Sequence, residues 1–281
     1  MTADWTVRGT ADVESLEIAL LLEAVYQAYG YDFRGYSRGS LRRRLVRRME
    51  VEGLKSLSAL QECVLHDPAC MKRLLLDLSV NVSSMFRDPS FYLAFRTKVV
   101  PLLRTYPFVR VWNAGCSTGE EAYSMAILLR EHDLYDRTRI YATDMNQTVL
   151  DQARAGAFPL GKMQEYTSNY IRAGGTRAFS EYYVANGRNA RFDSVLSDNI
   201  VFAEHNLVTD RSFNEFHVIL CRNVMIYFDR SLQDHVLGLL HESLTTLGVL
   251  AIGLKESLEF TSHADCYEAL DSSQRLYRRV R

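Results

Sequence analysis

The 281-residue sequence is short of the features that mark secreted, membrane-spanning or nucleic-acid-binding proteins. Its five cysteines are scattered, with no C-x-x-C pair and no histidine at metal-ligand spacing, so we expect free thiols, a cytoplasmic location and no metal. The formal net charge is −1, so no overall field attracts nucleic acid or a membrane surface. Leu244–Leu254 is too short to span a bilayer, and Met1–Thr10 is too short and polar for a signal peptide. We therefore expect no nucleic-acid partner and no membrane insertion.

The stretch FVRVWNAGCSTGEE, Phe108–Glu121, combines a buried strand, a turn of small residues and an acidic helix start. This order is typical of the nucleotide-binding corner of a doubly wound α/β sheet. The turn contains Gly115 and Gly119 but no G-x-G-x-x-G, and Glu120 and Glu121 stand where a pyrophosphate would bind. A dinucleotide is therefore disfavoured, and a cationic or zwitterionic nucleoside such as S-adenosyl-L-methionine fits better.

A second acid follows the next apolar strand, RIYAT, at Asp144. A carboxylate in this place can accept hydrogen bonds from both hydroxyls of a ribose. The alternative is that Asp144 only caps the helix that starts near Gln147, because aspartate is a good N-cap. The glycine turn about 25 residues upstream favours ribose binding.

The first 80 residues predict an all-α domain. Apolar spacing and capping residues predict helices over Glu14–Ala28, Leu41–Gly53 (capped by Ser40), Ser56–Leu65 and Pro68–Val80. A polar connector and a linker helix then cover residues 81–107, and a sheet domain covers residues 108–281.

The second of these helices is rich in arginine, with six arginines among residues 38–48. Leu41, Leu45 and Met49 give it an apolar stripe, and the arginines occupy the other faces. Three interpretations of these arginines compete: a solvated face, a nucleic-acid patch, and a docking face for an acidic protein. We favour the docking face, because arginine pairs bidentately with carboxylates. The predicted docking residues are Arg43, Arg44, Arg47 and Arg48.

Beyond Asp144 the sequence predicts a mainly helical stretch over residues 145–179 and then a small antiparallel subdomain at about residues 180–198. Asn186-Gly187 is a type I′ hairpin signal. Strands and helices then alternate as in a mostly parallel sheet, with a helix over Leu232–Leu247 and strands over Val249–Leu254 and Gln274–Val280.

The chain resembles the CheR-type family of chemotaxis receptor methyltransferases in four ordered stretches. These are NVSSMFRDP, WNAGCSTGEEAYSMA, TDMN with QTVLDQARAGAF, and FNEFHVIL with CRNVMIYFD. The resemblance implies a Rossmann-like α/β methyltransferase sheet with a small inserted antiparallel β subdomain, preceded by an all-α domain. It also implies methyl transfer from S-adenosyl-L-methionine to glutamate side chains in the cytoplasmic methylation region of chemoreceptors, with S-adenosyl-L-homocysteine as product. We expect the protein to be a monomer.

The resemblance also assigns site residues by motif. Arg87 and Tyr227 would line the reacting centre, although spacing alone makes Tyr227 a half-buried aromatic after a strand. Ser83 and Met85 stand where threonine and phenylalanine are usual, and the hairpin has only Gly187 where members that bind a receptor tail have several glycines. The implied cofactor-binding residues are Asn81, Ser83, Arg87, Glu121, Asp144, Asn206, Leu207, Arg222 and Asn223.

The implied chemistry agrees with the residues present. A glutamate is already ionised at neutral pH, so its methylation needs no general base, and the sequence has no catalytic histidine or cysteine constellation. Two other functions compete with this one. The first alternative is a methyltransferase that acts on RNA. The second is a regulatory module that binds S-adenosyl-L-methionine or its product.

Overall fold

The computed structural model describes residues 10–79, 81–259 and 261–281. The signal-peptide prediction rested on residues that, except for Thr10, lie outside the described part of the chain, and so does Val80 at the predicted end of the helical domain. None of the described helices is both long and apolar enough to cross a membrane. The chain divides into two compact units, a helical unit made by the first 80 residues with Tyr227–Leu232, and a sheet unit made by Asn81–Ile226 with Gln233–Arg281.

The helical unit is built on α1 (Thr10–Tyr29), α2 (Arg38–Val51), α3 (Leu57–His66) and α4 (Pro68–Leu78). The start of α2 was predicted three residues too late, because Ser37 rather than Ser40 occupies the N-cap and Ser40 N–H already donates to Ser37 O at 3.0 Å. Ser56 caps α3 by accepting a hydrogen bond from the backbone N–H of Ala59.

A short segment from the far end of the chain, Tyr227–Leu232, belongs to this helical unit. Its backbone is hydrogen-bonded to the loop before α2: Ser37 N–H donates to Tyr227 O, and Asp229 N–H donates to Gly35 O, each at 2.8 Å. The aromatic rings of Tyr36 and Phe228 pack edge to face, with 4.8 Å between their centroids. No local sequence pattern indicated this association.

In the part of the chain that the structure describes, the sheet unit contains ten strands and most of the remaining helices. The strands are β1 (Val109–Ala114), β2 (Thr138–Asp144), β3 (Ala157–Pro159), β4 (Tyr183–Asn186), β5 (Asn189–Phe192), β6 (Ile200–Glu204), β7 (Phe216–Cys221), β8 (Leu244–Ile252), β9 (Tyr267–Asp271) and β10 (Leu276–Arg279). The helices are α5 (Pro89–Ala94), α6 (Val100–Leu103), α7 (Glu120–Glu131), α8 (Gln147–Ala155), α9 (Met163–Arg172) and α10 (Arg230–Ser243), the last of which begins within Tyr227–Leu232.

Among the described residues, seven strands form one sheet in the order β6-β2-β1-β7-β8-β10-β9. The first five strands are parallel to one another, and β10 is antiparallel to both of its neighbours, β8 and β9. The predicted Rossmann-like α/β class is confirmed. The helix predicted over Leu232–Leu247 ends at Ser243, because Leu244 already pairs with Phe216 in the sheet. The predicted terminal strand is the second half of a hairpin whose first half, β9, was missed because its half-exposed, polar residues give no apolar signal.

The small inserted sheet has the order β3-β5-β4. Its hairpin falls within the predicted residues 180–198, whereas β3 lies in the stretch that was predicted to be helical. Asn186 pairs with Asn189, so the two-residue loop is Gly187-Arg188. Gly187 has a φ of 61° and Arg188 is not left-handed, which fits a type II′ turn instead of the predicted type I′.

A buried carboxylate connects this insert to α7. The side chain of Glu131 is 1% exposed, and Arg96 Nη2 donates to its Oε2 at 2.5 Å. Its Oε1 accepts hydrogen bonds from the Thr176 N–H at 2.9 Å, from the Tyr182 hydroxyl at 3.2 Å and from the Tyr170 hydroxyl. Burial alone would raise the pKa of Glu131, but these donors outweigh it and lower the pKa below its ordinary value.

Candidate cofactor and active site

The direction of strand order reverses between β1 and β7, since the chain continues to β2 and β6 on one side and to β8 on the other. Ligands of open α/β sheets bind beyond the carboxyl ends of the strands at such a switch point. The residues that follow β1, β2, β6 and β7 therefore face one site. They include Glu121, Asp144, Asn206 and Arg222 of the predicted set.

The turn after β1 has the predicted form. Gly115 and Gly119 have φ angles of 73° and 95°, which strongly favour glycine. A Cβ atom at Gly115 would lie 2.6 Å from Val224 Cγ2, so glycine allows the loop after β7 to approach the turn. Ser117 between them is also left-handed, with a φ of 52°, and its backbone N–H points to the end of β2.

That N–H donates to Asp144 Oδ2 at 2.9 Å, and the N–H of Asn146 donates to Asp144 Oδ1 at 3.0 Å. The helix-cap alternative for Asp144 is wrong, because the N-cap of α8 is Asn146, whose side chain accepts from Thr148 N–H. Burial raises the pKa of the Asp144 carboxyl, and the backbone N–H groups of Ser117, Asn146 and Met145 oppose that rise. An ionised carboxylate has about four acceptor positions, so Asp144 can still accept a hydrogen bond from a ribose hydroxyl.

Two buried polar atoms beside this acid lack a hydrogen-bond partner among the described residues. They are Asn113 Oδ1 at the end of β1 and Ser117 Oγ in the turn. Buried polar groups in folded proteins are nearly always paired, so unpaired ones at a switch point indicate a place for a polar ligand. The residues present therefore fit a nucleoside: Asp144 would bind the ribose, and Asn113 and Ser117 would hydrogen-bond to adjacent polar groups of the ligand.

Arg222, directly after β7, is the centre of a buried ion network. Its Nη1 donates to Glu121 Oε2 at 2.6 Å and its Nη2 to Asp88 Oδ2 at 2.8 Å. The guanidinium also lies 3.9 Å from the centroid of the Phe91 ring. Glu121 is further held by Asn113 Nδ2, which donates to its Oε1 at 2.8 Å. The network fixes Arg222 and Glu121 at the site, and the Nε of Arg222 is buried without a described partner.

A second buried acid fixes the loop that continues from Arg222. Glu256 accepts hydrogen bonds from the backbone N–H groups of Asn223 at 3.1 Å, Ile226 at 3.2 Å and Gly253. Burial raises the pKa of the Glu256 carboxyl, while these donors lower it. Asn223 has a φ of 61°, so the loop adopts a conformation that needs such support.

Asn81 and Ser83 line a cavity of about 450 Å³ together with Thr118 and Glu120, next to the turn after β1. Arg87 is half-buried in the same connector. Its Nη1 donates to Val82 O at 3.1 Å, and none of the described residues forms an ion pair with it. The structure groups this connector with the sheet unit, whereas the sequence analysis had separated residues 81–107 from the sheet.

Asn206 and Leu207 follow β6, whose Glu204 is opposite Asp144 in the sheet register. Asn206 Oδ1 accepts from Val208 N–H at 3.0 Å, and Leu207 is buried. Both residues therefore lie at the edge of the sheet that carries Asp144, as expected.

Tyr227 and the predicted docking arginines belong to the helical unit. The guanidinium of Arg44 lies 4.8 Å from the centroid of the Tyr227 ring, and its Nη1 donates to Leu78 O at 2.6 Å. Arg48 is paired with Asp77 at 2.5 Å, and its side chain is only 12% exposed. The prediction that all four arginines lie on a free surface is therefore wrong for Arg44 and Arg48.

Sequence reasoning missed four residues that build the site: Asn113, Ser117, Asp88 and Glu256. A polar side chain at the end of an apolar strand was a readable signal for Asn113. Asp88 and Glu256 had no such signal, because their partners are distant in the sequence.

The fold and this site together define a nucleoside-binding enzyme of the Rossmann-like class. A comparison with protein families then matches residues 81–275 to the model described as CheR methyltransferase, SAM binding domain, and residues 16–79 to CheR methyltransferase, all-alpha domain. The chain belongs to the CheR methyltransferase family. It is a methyltransferase, and its cofactor is S-adenosyl-L-methionine.

Individual relatives agree with the family. The chain is 53% identical over 264 residues to the putative methyltransferase Cher3 of Pseudomonas putida, covering 94% of this chain and 97% of that one. It is 30% identical over 224 residues to chemotaxis protein methyltransferase 2 of Pseudomonas aeruginosa, with 78% and 79% covered. It is 29% identical over 251 residues to the chemotaxis protein methyltransferase of Salmonella typhimurium, with 84% and 82% covered.

Replacement of Asp144 by alanine is expected to weaken S-adenosyl-L-homocysteine binding by on the order of a hundredfold, because charge-assisted hydrogen bonding to the ribose is lost. Isothermal titration calorimetry measures the change. Asp151→Ala, which removes an exposed carboxylate from the following helix, is the control and should bind normally. Unaltered affinity in the Asp144 variant would refute its role as the ribose acceptor.

Proposed function

We propose that this protein transfers the methyl group of S-adenosyl-L-methionine to glutamate side chains of chemoreceptors, and so forms glutamate methyl esters. Membership of the CheR methyltransferase family supports the reaction class. The observation that carries the choice of a carboxylate substrate is Arg87: a half-buried guanidinium of the connector, beside the cofactor corner, with no ion-pair partner among the described residues. The names of two relatives as chemotaxis protein methyltransferases support the receptor partner.

The proposed mechanism relies on alignment. The bound cofactor supplies an electrophilic methyl group on a sulfonium, and the substrate glutamate is already an anion near neutral pH. Arg87 binds this carboxylate through charge-assisted hydrogen bonds and orients one oxygen for in-line attack. The prediction that the Tyr227 hydroxyl hydrogen-bonds to the other oxygen rests on the family resemblance alone. Glu121 and Asp144 would hold the cofactor, and the site needs no proton acceptor because the nucleophile loses no proton.

A product assay tests this function directly. Membranes that contain chemoreceptors are incubated with the protein and S-adenosyl-L-methionine labelled in the methyl group, and alkali then releases volatile methanol from any carboxyl methyl ester. The proposal expects alkali-labile label on the receptors. Label that is stable to alkali, or label on added RNA instead, would contradict it. Neither the RNA-modifying nor the purely regulatory alternative is favoured by the comparisons.

Arg43 and Arg47 are the two arginines of α2 that we propose dock the receptor. Both are exposed on α2, and neither forms an ion pair with any residue that the structure describes. They are therefore available to an acidic receptor helix, unlike Arg44 and Arg48, which are engaged within the helical unit.

The double reversal Arg43→Glu/Arg47→Glu is expected to reduce methyl transfer to receptor membranes and to make it less sensitive to ionic strength, since like charges would then face each other. Folding stability should change by no more than about 0.5 kcal/mol, and S-adenosyl-L-homocysteine affinity should be unaltered. Transfer is measured at low and high salt. The matched control is Lys55→Glu/Lys72→Glu, which reverses two other exposed cations of the helical unit. Equal effects of the two double reversals would exclude a specific docking role for α2.

A further inference from the structure

Three metal-binding side chains meet in the C-terminal part of the sheet unit, among residues that the methyl-transfer site does not use. His241 lies in the last turn of α10. His263 caps the start of a single 3₁₀ turn, Ala264–Cys266, and Cys266 is its last residue; the Cys266 N–H donates to His263 O at 3.0 Å. One nitrogen of each imidazole and the Cys266 sulfur all lie within 4.8 Å of one another. All three side chains are half-buried, so the cluster is partly shielded and still open to an ion.

The spacing of these atoms is close to that of a tetrahedral metal site. Zinc binds imidazole nitrogen at about 2.0–2.1 Å and thiolate sulfur at about 2.3 Å. Ligand atoms around it are consequently about 3.3–3.7 Å apart. The rings of His241 and His263 already stack, with centroids 4.5 Å apart and planes inclined by 18°. The two rings must therefore turn out of this stack to bring the three ligand atoms to bonding distance.

Neighbouring groups hold the ligands in place. The Tyr267 hydroxyl lies 3.3 Å from His241 Nδ1. With Nδ1–H donating to this hydroxyl, Nε2 is free to bind a metal, which is the usual outer-sphere arrangement of a ligating histidine. Hydrogen bonds from β10 and the residue after it fix both ligand segments: the Arg279 side chain donates from Nη1 to His241 O and the Val280 backbone N–H donates to Cys266 O, each at 2.8 Å.

The donor set selects the kind of ion. Two imidazoles and a thiolate suit zinc and related borderline-to-soft cations, whereas magnesium and calcium require oxygen ligands. The positive charge of Arg279 opposes the binding of a cation here. Its guanidinium, however, is hydrogen-bonded to the carbonyl oxygens of His241 and Leu244 at the end of α10. The thiolate of Cys266 adds a compensating negative charge. A second cluster, Glu52 with Cys63 and Cys70, is the weaker candidate because Arg48 and Arg73 occupy the Glu52 carboxylate.

We propose that His241, His263 and Cys266 form a three-ligand zinc(II) site, with water as the fourth ligand. The ion joins the end of α10 to the turn before β9, so its role is to stabilise this edge of the sheet unit. Basal methyl transfer does not require it, because none of its ligands belongs to the cofactor corner. No metal was expected from the sequence, although His263 and Cys266 form an H-x-x-C pair.

The test uses the full-length chain without a histidine tag, stripped of metal by a chelator and titrated calorimetrically with zinc chloride. We expect one equivalent to bind, and Cys266→Ser and His263→Gln to weaken binding by on the order of a hundredfold or more, since even outer-sphere changes cost tenfold to a hundredfold. His235→Gln, which removes an exposed histidine of the same helix, and Cys63→Ser are the matched controls and should bind like the wild type. Circular dichroism confirms that each variant is folded.

Cobalt(II) substitution identifies the ligands independently of affinity. The proposal expects the visible bands of tetrahedral cobalt together with a thiolate-to-cobalt charge-transfer band, and the charge-transfer band should vanish in Cys266→Ser. Tyr267→Phe should weaken zinc binding by about tenfold while leaving that band in place, because it removes only the partner of His241. No zinc binding by the wild type, equal binding by the Cys266 and control variants, or equal competition by magnesium would each overturn the proposal.

Discussion

Replacement of Arg87 by alanine is expected to lower the turnover number by about a hundredfold or more, the usual cost of removing one preorganised donor from a reacting centre. Cofactor affinity should fall much less, because Asp144 and the other predicted cofactor-binding residues would still hold the nucleoside. Folding stability should stay nearly constant, since among the described residues the Arg87 side chain is hydrogen-bonded to Val82 O alone. Initial rates with receptor membranes, calorimetry with S-adenosyl-L-homocysteine and thermal unfolding separate these three quantities.

Arg87→Lys is the informative companion variant. Lysine keeps the positive charge but loses the planar pair of donors that grips a carboxylate, so we expect activity between those of the wild type and the alanine variant. If alanine at this position lowered the melting temperature and the activity together, Arg87 would be a structural residue. If it changed affinity for the cofactor alone, the carboxylate-binding role would be lost and only the cofactor role would remain.

The second large effect is expected from Glu131→Gln. The substitution leaves the Arg96 guanidinium, whose side chain is 8% exposed, buried without a carboxylate, and breaking a buried pair in this way typically costs about 3–5 kcal/mol. The insert should loosen first, because Thr176, Tyr170 and Tyr182 all donate to the same carboxylate. Denaturant unfolding gives the stability, and hydrogen exchange of α9 and the small sheet locates the loss.

The same carboxylate predicts a pH dependence. The folded-state pKa of Glu131 is lowered, so its stabilising contribution is present above the ordinary glutamate pKa, near 4.3, and is lost as the pH falls through the folded value. The wild type should therefore lose more stability than Glu131→Gln on acidification through that range. Asp136→Asn, an exposed acid in the loop after α7, is the control and should keep the wild-type slope. Parallel curves for all three proteins would refute the assignment.

The elements around the cofactor were readable from sequence because their signals are local. An apolar run, small residues and an acidic helix start lie within fourteen residues at Phe108–Glu121, and the structure has β1, the turn and α7 in that order. Asp144 was found in the same way, as a polar residue at the end of an apolar strand. Its acceptance of the Ser117 N–H was not predictable, since it depends on the left-handed backbone of the turn.

Pairings between residues far apart in the sequence were missed for a physical reason. Arg222 reaches Glu121 across 101 positions and Asp88 across 134, and periodicity contains no information on such pairs. The same limit applies to the arginines of α2. Its apolar stripe correctly placed Leu41 and Leu45 in the core, but whether Arg48 faces solvent was decided by Asp77, which is 29 positions away on α4.

The inclusion of Tyr227–Leu232 in the helical unit has a consequence for dissecting the protein. A fragment that starts at residue 81 would retain this segment but lose Gly35 and Ser37, so the backbone groups now bonded to them would need new partners. It would also expose Phe228, which is 6% exposed in the intact chain. Such a fragment is expected to be aggregation-prone and poorly soluble, even though it contains the whole cofactor corner. A protease nick near residue 80, by contrast, should leave the two pieces bound to each other through that segment.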